Sequence, residues 1–206
     1  MIAGLIAALR HACVDHPALT GAARAQFAML RESVPWAAPT ATPVPAVTPA
    51  VTRHLTAALA LAPEDGSEAD LARALAAAAP ALTWRRSYDD YAGEPDIDAF
   101  RQRYAYCVVV GPNAILPCDT AYVGFTLQAP QTFYPSHVHK AVEVYRIVAG
   151  SADWQRGGGA WNRRRPGAIM LHEGGVRHAM RTDAEPQLAL FAWVSDLGSE
   201  VVIVRD

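Results

Sequence analysis

The stretch Tyr134-Pro-Ser-His-Val-His-Lys-Ala-Val-Glu-Val-Tyr145 decides both the fold and the chemistry of this 206-residue chain. Residues two apart on a β-strand project from the same face, so a strand here directs the imidazoles of His137 and His139 toward one point. Glu143 and Tyr145 share their parity and face the same way if the strand is uninterrupted, whereas a turn just after His139 breaks the pattern. Imidazole and carboxylate together suit a divalent Fe, Mn, Ni, Co or Zn ion. The stretch therefore predicts part of a metal site on a strand.

The residues that precede this stretch have a helical period. Apolar residues recur on one helix face in Ile2–Cys13 and Ala23–Val34, and a third helix is predicted over Thr52–Leu61. Ser67, with a carboxylate three residues later, marks the N-cap of a fourth helix that ends before Pro80. A Pro/Thr/Ala-rich stretch at about 35–50 predicts an extended connector. The sequence thus predicts a helical N-terminal section over residues 1–95.

After Pro95 the period changes to that of β-strands. Short runs rich in Val, Ile and aromatic residues alternate with Gly, Pro and Asn, which is typical of an all-β barrel or sandwich. We therefore predict a mainly β fold, with a β-barrel domain over residues 96–206 that binds the metal. The predicted strands are Tyr104–Val110, Ala121–Gln128, Val142–Val148, Gln187–Val194 and Glu200–Val204.

A second block, from Pro166 to His178, completes a recognisable pair of motifs. Gly150 follows Glu143 by seven residues, and Gly175-Val-Arg-His178 supplies a later G-x-x-H. The two blocks resemble the cupin superfamily, although the spacing within the second block departs from the pattern and no asparagine follows the last histidine. The resemblance implies a double-stranded β-helix barrel that holds one divalent transition metal, of undetermined identity, through His137, His139, Glu143 and His178.

A narrower resemblance rests on the order of residues from Tyr134 to Tyr145, on the helical N-terminal section and on Trp193 in a late strand. These features are similar to the cupin-type dimethylsulfoniopropionate lyases, which split dimethylsulfoniopropionate into acrylate and dimethyl sulfide. By position, Tyr145 matches the catalytic tyrosine of that family, and Tyr134 matches a pocket tyrosine that is also a candidate base. The substrate carries a sulfonium group, and cations favour aromatic faces. We therefore expect Tyr122, Phe133 and Trp193 to contact it.

The resemblance implies a metal-dependent carbon–sulfur lyase in which the metal binds the substrate carboxylate and a tyrosine takes the α-proton. Two other functions remain open. A non-haem iron dioxygenase would use the same ligand set, because open positions on the ion can take substrate and dioxygen. A cupin could also bind a small molecule without turnover.

Composition and cysteine spacing indicate which kind of partner and which cellular compartment to expect. About half of the residues (51%) are apolar, which is ample for a core, and the net charge of −2 argues against a nucleic-acid partner. The apolar run Ile2–Leu9 is too short to span a membrane and makes a poor secretory signal. The three cysteines are widely spaced, which favours reduced thiols in a cytoplasmic protein. We expect a small-molecule substrate as the partner, and the cupin resemblance favours a homodimer.

Overall fold

The computed structural model describes residues 1–14, 21–37 and 48–205. Residues 38–47, which make up most of the predicted proline-rich connector, lie outside the described residues. A 3-10 turn at Ala50–His54 leads into the third helix. Among the described residues, no helix has both the length and the apolar character needed to cross a bilayer. The helices are α1 (Ile2–Val14), α2 (Gly21–Ser33), α3 (Leu55–Leu59), α4 (Gly66–Ala78) and α5 (Pro95–Arg101).

The strands form two sheets, almost entirely antiparallel. The strands are β1 (Trp84–Arg85), β2 (Tyr104–Gly111), β3 (Leu116–Pro117), β4 (Tyr122–Gln128), β5 (Phe133–Val138), β6 (Glu143–Gly150), β7 (Ala152–Arg156), β8 (Asn162–Arg164), β9 (Ile169–His172), β10 (His178–Arg181), β11 (Gln187–Trp193) and β12 (Val202–Ile203). The larger sheet has the order β1-β2-β4-β11-β6-β9, with β3 beside β2. The smaller sheet has the order β12-β5-β10-β7-β8.

The larger sheet is buried on both faces, which explains its long apolar runs. On β6, Tyr145 and Ile147 belong to a core cluster between the sheets, whereas Val144 and Val148 pack with the helices. All eight residues of this strand are therefore buried. Because side chains alternate along a strand, one face of β6 points to the site and the other packs against the helical section.

Arg146 connects the helical section to the larger sheet through an ion pair and hydrogen bonds. Its side chain is fully buried on the helix-facing side of β6 and donates to Glu68 Oε1 on α4 at 2.8 and 2.6 Å, and to the carbonyl of Ala12 on α1 at 2.7 Å. Ser67 also accepts a hydrogen bond from it. The predicted N-cap at Ser67 is wrong, because α4 begins at Gly66 and the side chains of Ser67 and Glu68 turn inward to the guanidinium.

The predicted fold class, a mainly β cupin architecture preceded by helices, is confirmed, although the two sheets do not close into a continuous barrel. Each predicted strand overlaps an observed one, and Glu200–Val204 shrinks most, to β12. Gly150 ends β6 at φ 70°, and a Cβ there would collide with the carbonyl oxygen of Pro186, so this turn requires glycine.

Candidate active site

The two sheets contribute different members of the predicted metal site. His137 on β5 and His178 on β10 are direct neighbours in the register of the smaller sheet, so their side chains lie side by side. His139 follows the end of β5, and Glu143 begins β6 in the larger sheet. A turn therefore separates His137 and His139 from Glu143. The strand is interrupted after His139, which is the second of the two alternatives that the sequence left open. The ligand candidates converge across the gap between sheets instead of along one strand.

The three imidazoles are oriented in the same way. The Nδ1 atom of each lies within hydrogen-bonding distance of a backbone carbonyl oxygen. Because a carbonyl can only accept, each Nδ1 carries a proton, and the Nε2 atom is the one left to face the site. The three rings offer nitrogen atoms that all lie within 4.8 Å of one another. The acceptors are the carbonyls of Pro135 for His137 (2.9 Å), Ala141 for His139 (3.0 Å) and Val176 for His178 (3.1 Å).

The Nε2 atoms of His139 and His178 face a carboxylate. Glu143 Oε2 lies 3.0 Å from His139 Nε2 and 3.3 Å from His178 Nε2, and the latter nitrogen is buried without a hydrogen-bond partner among the described residues. Burial opposes ionisation of Glu143, but hydrogen bonding and electrostatic attraction to His139 and His178 outweigh it and hold the pKa of its carboxyl well below the usual range. Burial and the nearby His178 lower the pKa of His137, so its ring is neutral. Three imidazoles beside an ionised acid form a donor set that fits a divalent transition metal.

Tyr145 stands beside this donor set on β6. Its ring centroid lies 6.4 Å from that of His178, and it lines the cavity in front of the histidines. Within the part of the chain that the structure describes, its hydroxyl makes no hydrogen bond. Burial raises the pKa of the Tyr145 phenol well above its ordinary value, and the negative charge of Glu143 adds to the effect.

Tyr134 also lies at the site, but it is held in place on several sides. Its ring stacks on His137, with centroids 4.1 Å apart and planes 8° apart, and Phe100 of α5 stacks on it at 4.3 Å. Its hydroxyl lies 2.7 Å from the Tyr88 hydroxyl, and the Tyr104 ring packs against its ring with centroids 4.9 Å apart. The two candidate tyrosines therefore differ, because the Tyr134 hydroxyl has a hydrogen-bond partner and the Tyr145 hydroxyl faces the cavity.

A cavity of about 650 Å³ opens onto the histidines, a volume that suits a small ligand. Tyr122 and Trp193 line it, and Trp193 lies against His139 with ring centroids 4.6 Å apart. The expected contact of Phe133 with the sulfonium is wrong. Phe133 is 55% exposed and packs beside Trp161 on the outer surface, because it neighbours the inward-facing Tyr134 on the same strand and must point the other way.

The structure adds His172, to which the sequence assigned no ligand role. It pairs with Glu143 across β9 and β6 and stacks on His178, with centroids 4.0 Å apart and planes 11° apart. Neither ring nitrogen has a hydrogen-bond partner, and burial, reinforced by His178, lowers its pKa to about 2. The position of His172 in the second motif block was the only signal available for it.

Sequence reasoning also missed the residues that enclose Tyr134. Tyr88 precedes α5 in the section predicted to be helical, Phe100 belongs to α5 and Tyr104 begins β2. Each lies at least thirty residues before Tyr134 in the chain. No spacing rule connects residues that far apart, so only the packed structure could bring them to the site.

The comparisons with known proteins agree with this arrangement. The family model of the dimethylsulfoniopropionate (DMSP) lyases matches residues 22–189. The putative DMSP lyase DddL of Cereibacter sphaeroides is 36% identical over 139 residues, which cover 66% of this chain and 55% of that protein. The DMSP lyase DddQ of Ruegeria pomeroyi is 31% identical over 130 residues, which cover 63% of each chain. The aligned part of this chain thus spans less than two thirds of the length of either relative.

The likeness extends to a solved structure. The crystal structure of DddQ from Ruegeria pomeroyi DSS-3 superimposes with a TM-score of 0.77 at 26% sequence identity, over 98% of this chain and 95% of that one. The family match covers both the helical section from α2 onward and the two sheets that carry the histidines. On the strength of that match, the chain belongs to the DMSP lyase family.

Proposed function

We propose that this protein is a carbon–sulfur lyase that cleaves DMSP to acrylate and dimethyl sulfide by β-elimination. In this reaction the α C–H bond and the Cβ–S bond break, a carbon–carbon double bond forms, and dimethyl sulfide leaves with the sulfur electron pair. The observation that carries the proposal is the Tyr145 hydroxyl, which has no hydrogen bond within the described residues and opens onto the same cavity as His137, His139 and Glu143, in a chain of this family.

His137, His139 and His178 are the residues that would hold a divalent metal, with Glu143 as the fourth ligand. Such an ion supplies Lewis-acid stabilisation of the charge that develops on the substrate carboxylate. The ligand set accommodates Zn, Fe, Mn, Ni or Co. Glu143 balances the charge of the site, and the three Nδ1 hydrogen bonds keep the Nε2 atoms aimed inward.

Tyr145 is the residue that we assign to remove the α-proton. Its hydroxyl faces the cavity without a partner in the described chain, whereas the Tyr134 hydroxyl is already engaged by the phenol of Tyr88. A general base must be free to reach the proton that it abstracts. Burial alone keeps the Tyr145 phenol protonated, so its role as a base depends on positive charge at the histidines.

The aromatic wall of the cavity suits the other end of the substrate. Tyr122 and Trp193 contact each other edge to face at 6.3 Å, and both line the cavity. A sulfonium cation is stabilised by the faces of such rings without a neutralising carboxylate. The wall therefore favours a substrate with a carboxylate at one end and a soft cation at the other.

The experiment is detection of dimethyl sulfide in the headspace above metal-loaded protein with DMSP under nitrogen. We expect dimethyl sulfide and acrylate in equal amounts, without oxygen. Turnover that requires oxygen would instead identify a dioxygenase, and ligand-induced stabilisation without turnover would identify a binding protein. Either result would refute the proposal.

Tyr145→Phe is expected to lower kcat by about 10²- to 10⁴-fold, the usual contribution of a general base, while metal content is retained. Tyr106→Phe is the matched control, because Tyr106 lines the same cavity and contacts none of the three histidine rings. Activity of Tyr145→Phe close to that of the wild type would exclude Tyr145 as the base.

A further inference from the structure

Tyr88 has an unusual backbone and an unusual position. It lies between β1 and the short 3-10 turn Asp89–Tyr91, with φ 62° and ψ 44°, in the left-handed region. That region is unfavourable for a residue with a bulky side chain, so surrounding contacts must hold it there. The conformation directs the ring inward, where it meets Phe100 and Tyr134 at 5.9 Å each and His137 at 6.5 Å. A side chain from outside the two-sheet core thus forms part of the cavity wall.

The hydroxyl of Tyr88 lies 2.7 Å from the hydroxyl of Tyr134, and either phenol can be the donor. Within the described residues, the Tyr88 hydroxyl makes no other hydrogen bond. The Tyr104 ring packs against the Tyr134 ring from β2, with centroids 4.9 Å apart. The contact with Tyr88 therefore holds the hydroxyl of Tyr134, and the ring of Tyr104 helps to hold its ring.

The direction of this hydrogen bond decides what Tyr134 can offer. A phenolic oxygen accepts two hydrogen bonds and donates one. When Tyr88 is the donor, the proton of Tyr134 is left for another acceptor. The Tyr134 ring cannot turn away, because it is sandwiched between Phe100 and His137. Tyr134 lines the cavity, so its O–H is available to an acceptor that enters beside the histidines.

We propose that Tyr88 is a positioning residue that donates to the Tyr134 hydroxyl and so presents the Tyr134 O–H to the carboxylate of the bound substrate. The proposal rests on the proposed function for its substrate, and it gives Tyr134 a donor role that is distinct from proton abstraction by Tyr145. This role explains the strained backbone of Tyr88, since a relaxed conformation would withdraw its phenol from Tyr134.

The test is a double-mutant cycle between Tyr88→Phe and Tyr134→Phe on the metal-loaded protein. Each variant keeps its ring and loses only a hydroxyl. A hydrogen bond to a charged group contributes about 10- to 100-fold to binding. We expect kcat/KM for DMSP to fall about tenfold or more in Tyr134→Phe, and several-fold in Tyr88→Phe. The double variant should match Tyr134→Phe within about twofold, because Tyr88 acts through that hydroxyl.

A second readout is independent of turnover. Titration calorimetry with acrylate as a carboxylate probe should show the same pattern in Kd, so the cycle is decided even if no dimethyl sulfide is formed. Tyr91→Phe is the matched control. It lies three residues from Tyr88 and touches its ring at 5.8 Å, but its hydroxyl accepts from the backbone N–H of Ile203. This variant should bind acrylate like the wild type, with an unchanged melting temperature as the check on folding.

Two results would overturn the inference. The first is wild-type acrylate affinity and kcat/KM in Tyr88→Phe. The second is multiplicative losses in the double variant, which would mean that Tyr88 acts independently of Tyr134. If wild-type protein releases no dimethyl sulfide but the acrylate cycle shows coupling, the proposed function fails and the positioning role of Tyr88 stands.

Discussion

Replacement of Arg146 by methionine tests how the helical section is joined to the sheet that carries the site. The guanidinium is fully buried and is shared by Glu68 on α4 and the carbonyl of Ala12 on α1. Arg146 is the residue that follows Tyr145 on β6, so its contacts lie directly behind the active-site face. Methionine retains most of the side-chain volume and removes the charge and the donors.

The magnitude follows from burial. The Glu68 side chain is 10% exposed and that of Arg146 is 0% exposed, so solvent screening is weak. Removal of one partner from a buried ion pair costs about 3–5 kcal/mol, because the hydrogen bonds and the charge attraction made by the guanidinium are lost. With a urea m-value of about 2–3 kcal/mol/M, the unfolding midpoint should fall by about 1–2.5 M. That loss is a large part of the total stability of an ordinary domain.

Urea unfolding followed by circular dichroism measures the change in the unfolding midpoint. The double variant Arg146→Met/Glu68→Leu tests how much of that change depends on Glu68. We expect the double variant to lose less stability than the sum of the losses in Arg146→Met and Glu68→Leu, because the two side chains contact each other. Arg73→Met is the control, because its ion pair with Asp70 is more than half exposed and contributes about 0.5 kcal/mol or less. A midpoint for Arg146→Met equal to that of Arg73→Met would refute the reasoning.

Two further predictions concern the histidines. His139→Ala should lose bound metal by elemental analysis, whereas His54→Ala, in the helical section, should retain it; full occupancy in His139→Ala would rule out its role as a ligand. Metal-free protein should lose stability as the pH falls below about 6.5, because the unfolded chain binds protons there while buried His172, with its pKa lowered to about 2, does not. The slope from this group is about 1.4 kcal/mol per pH unit. His172→Phe should reduce the slope by that amount in acid unfolding, and an unchanged slope would contradict the assignment.

Local spacing was sufficient for the parts of the site that depend on neighbours in the chain. The histidines of the H-x-H motif were expected to act together, and their Nε2 atoms do converge with that of His178. The alternation of side chains along a strand also bears on the expected contact of Phe133. Phe133 and Tyr134 are adjacent on a strand, so the two could not both face the cavity.

Sequence patterns alone cannot identify contacts between residues that lie far apart in the chain. The N-cap at Ser67 was a reasonable prediction from local chemistry, but a buried guanidinium on another element competes for the same side chains. In the same way, the strained Tyr88 gives no signal in the sequence. Its conformation has meaning only because Tyr134 lies 2.7 Å from its hydroxyl.

The sequence by itself determined the helical and β periods, the fold class and the residue types of a metal site, because each depends on intervals of two to seven residues. The tertiary structure alone decided that His178 of one sheet meets Glu143 of the other, and that the Tyr134 hydroxyl has a hydrogen-bond partner whereas, among the described residues, that of Tyr145 has none. The physical reason is that strand register and sheet packing are set by side chains far apart in the chain. The favourable contacts exist only after the whole core has formed.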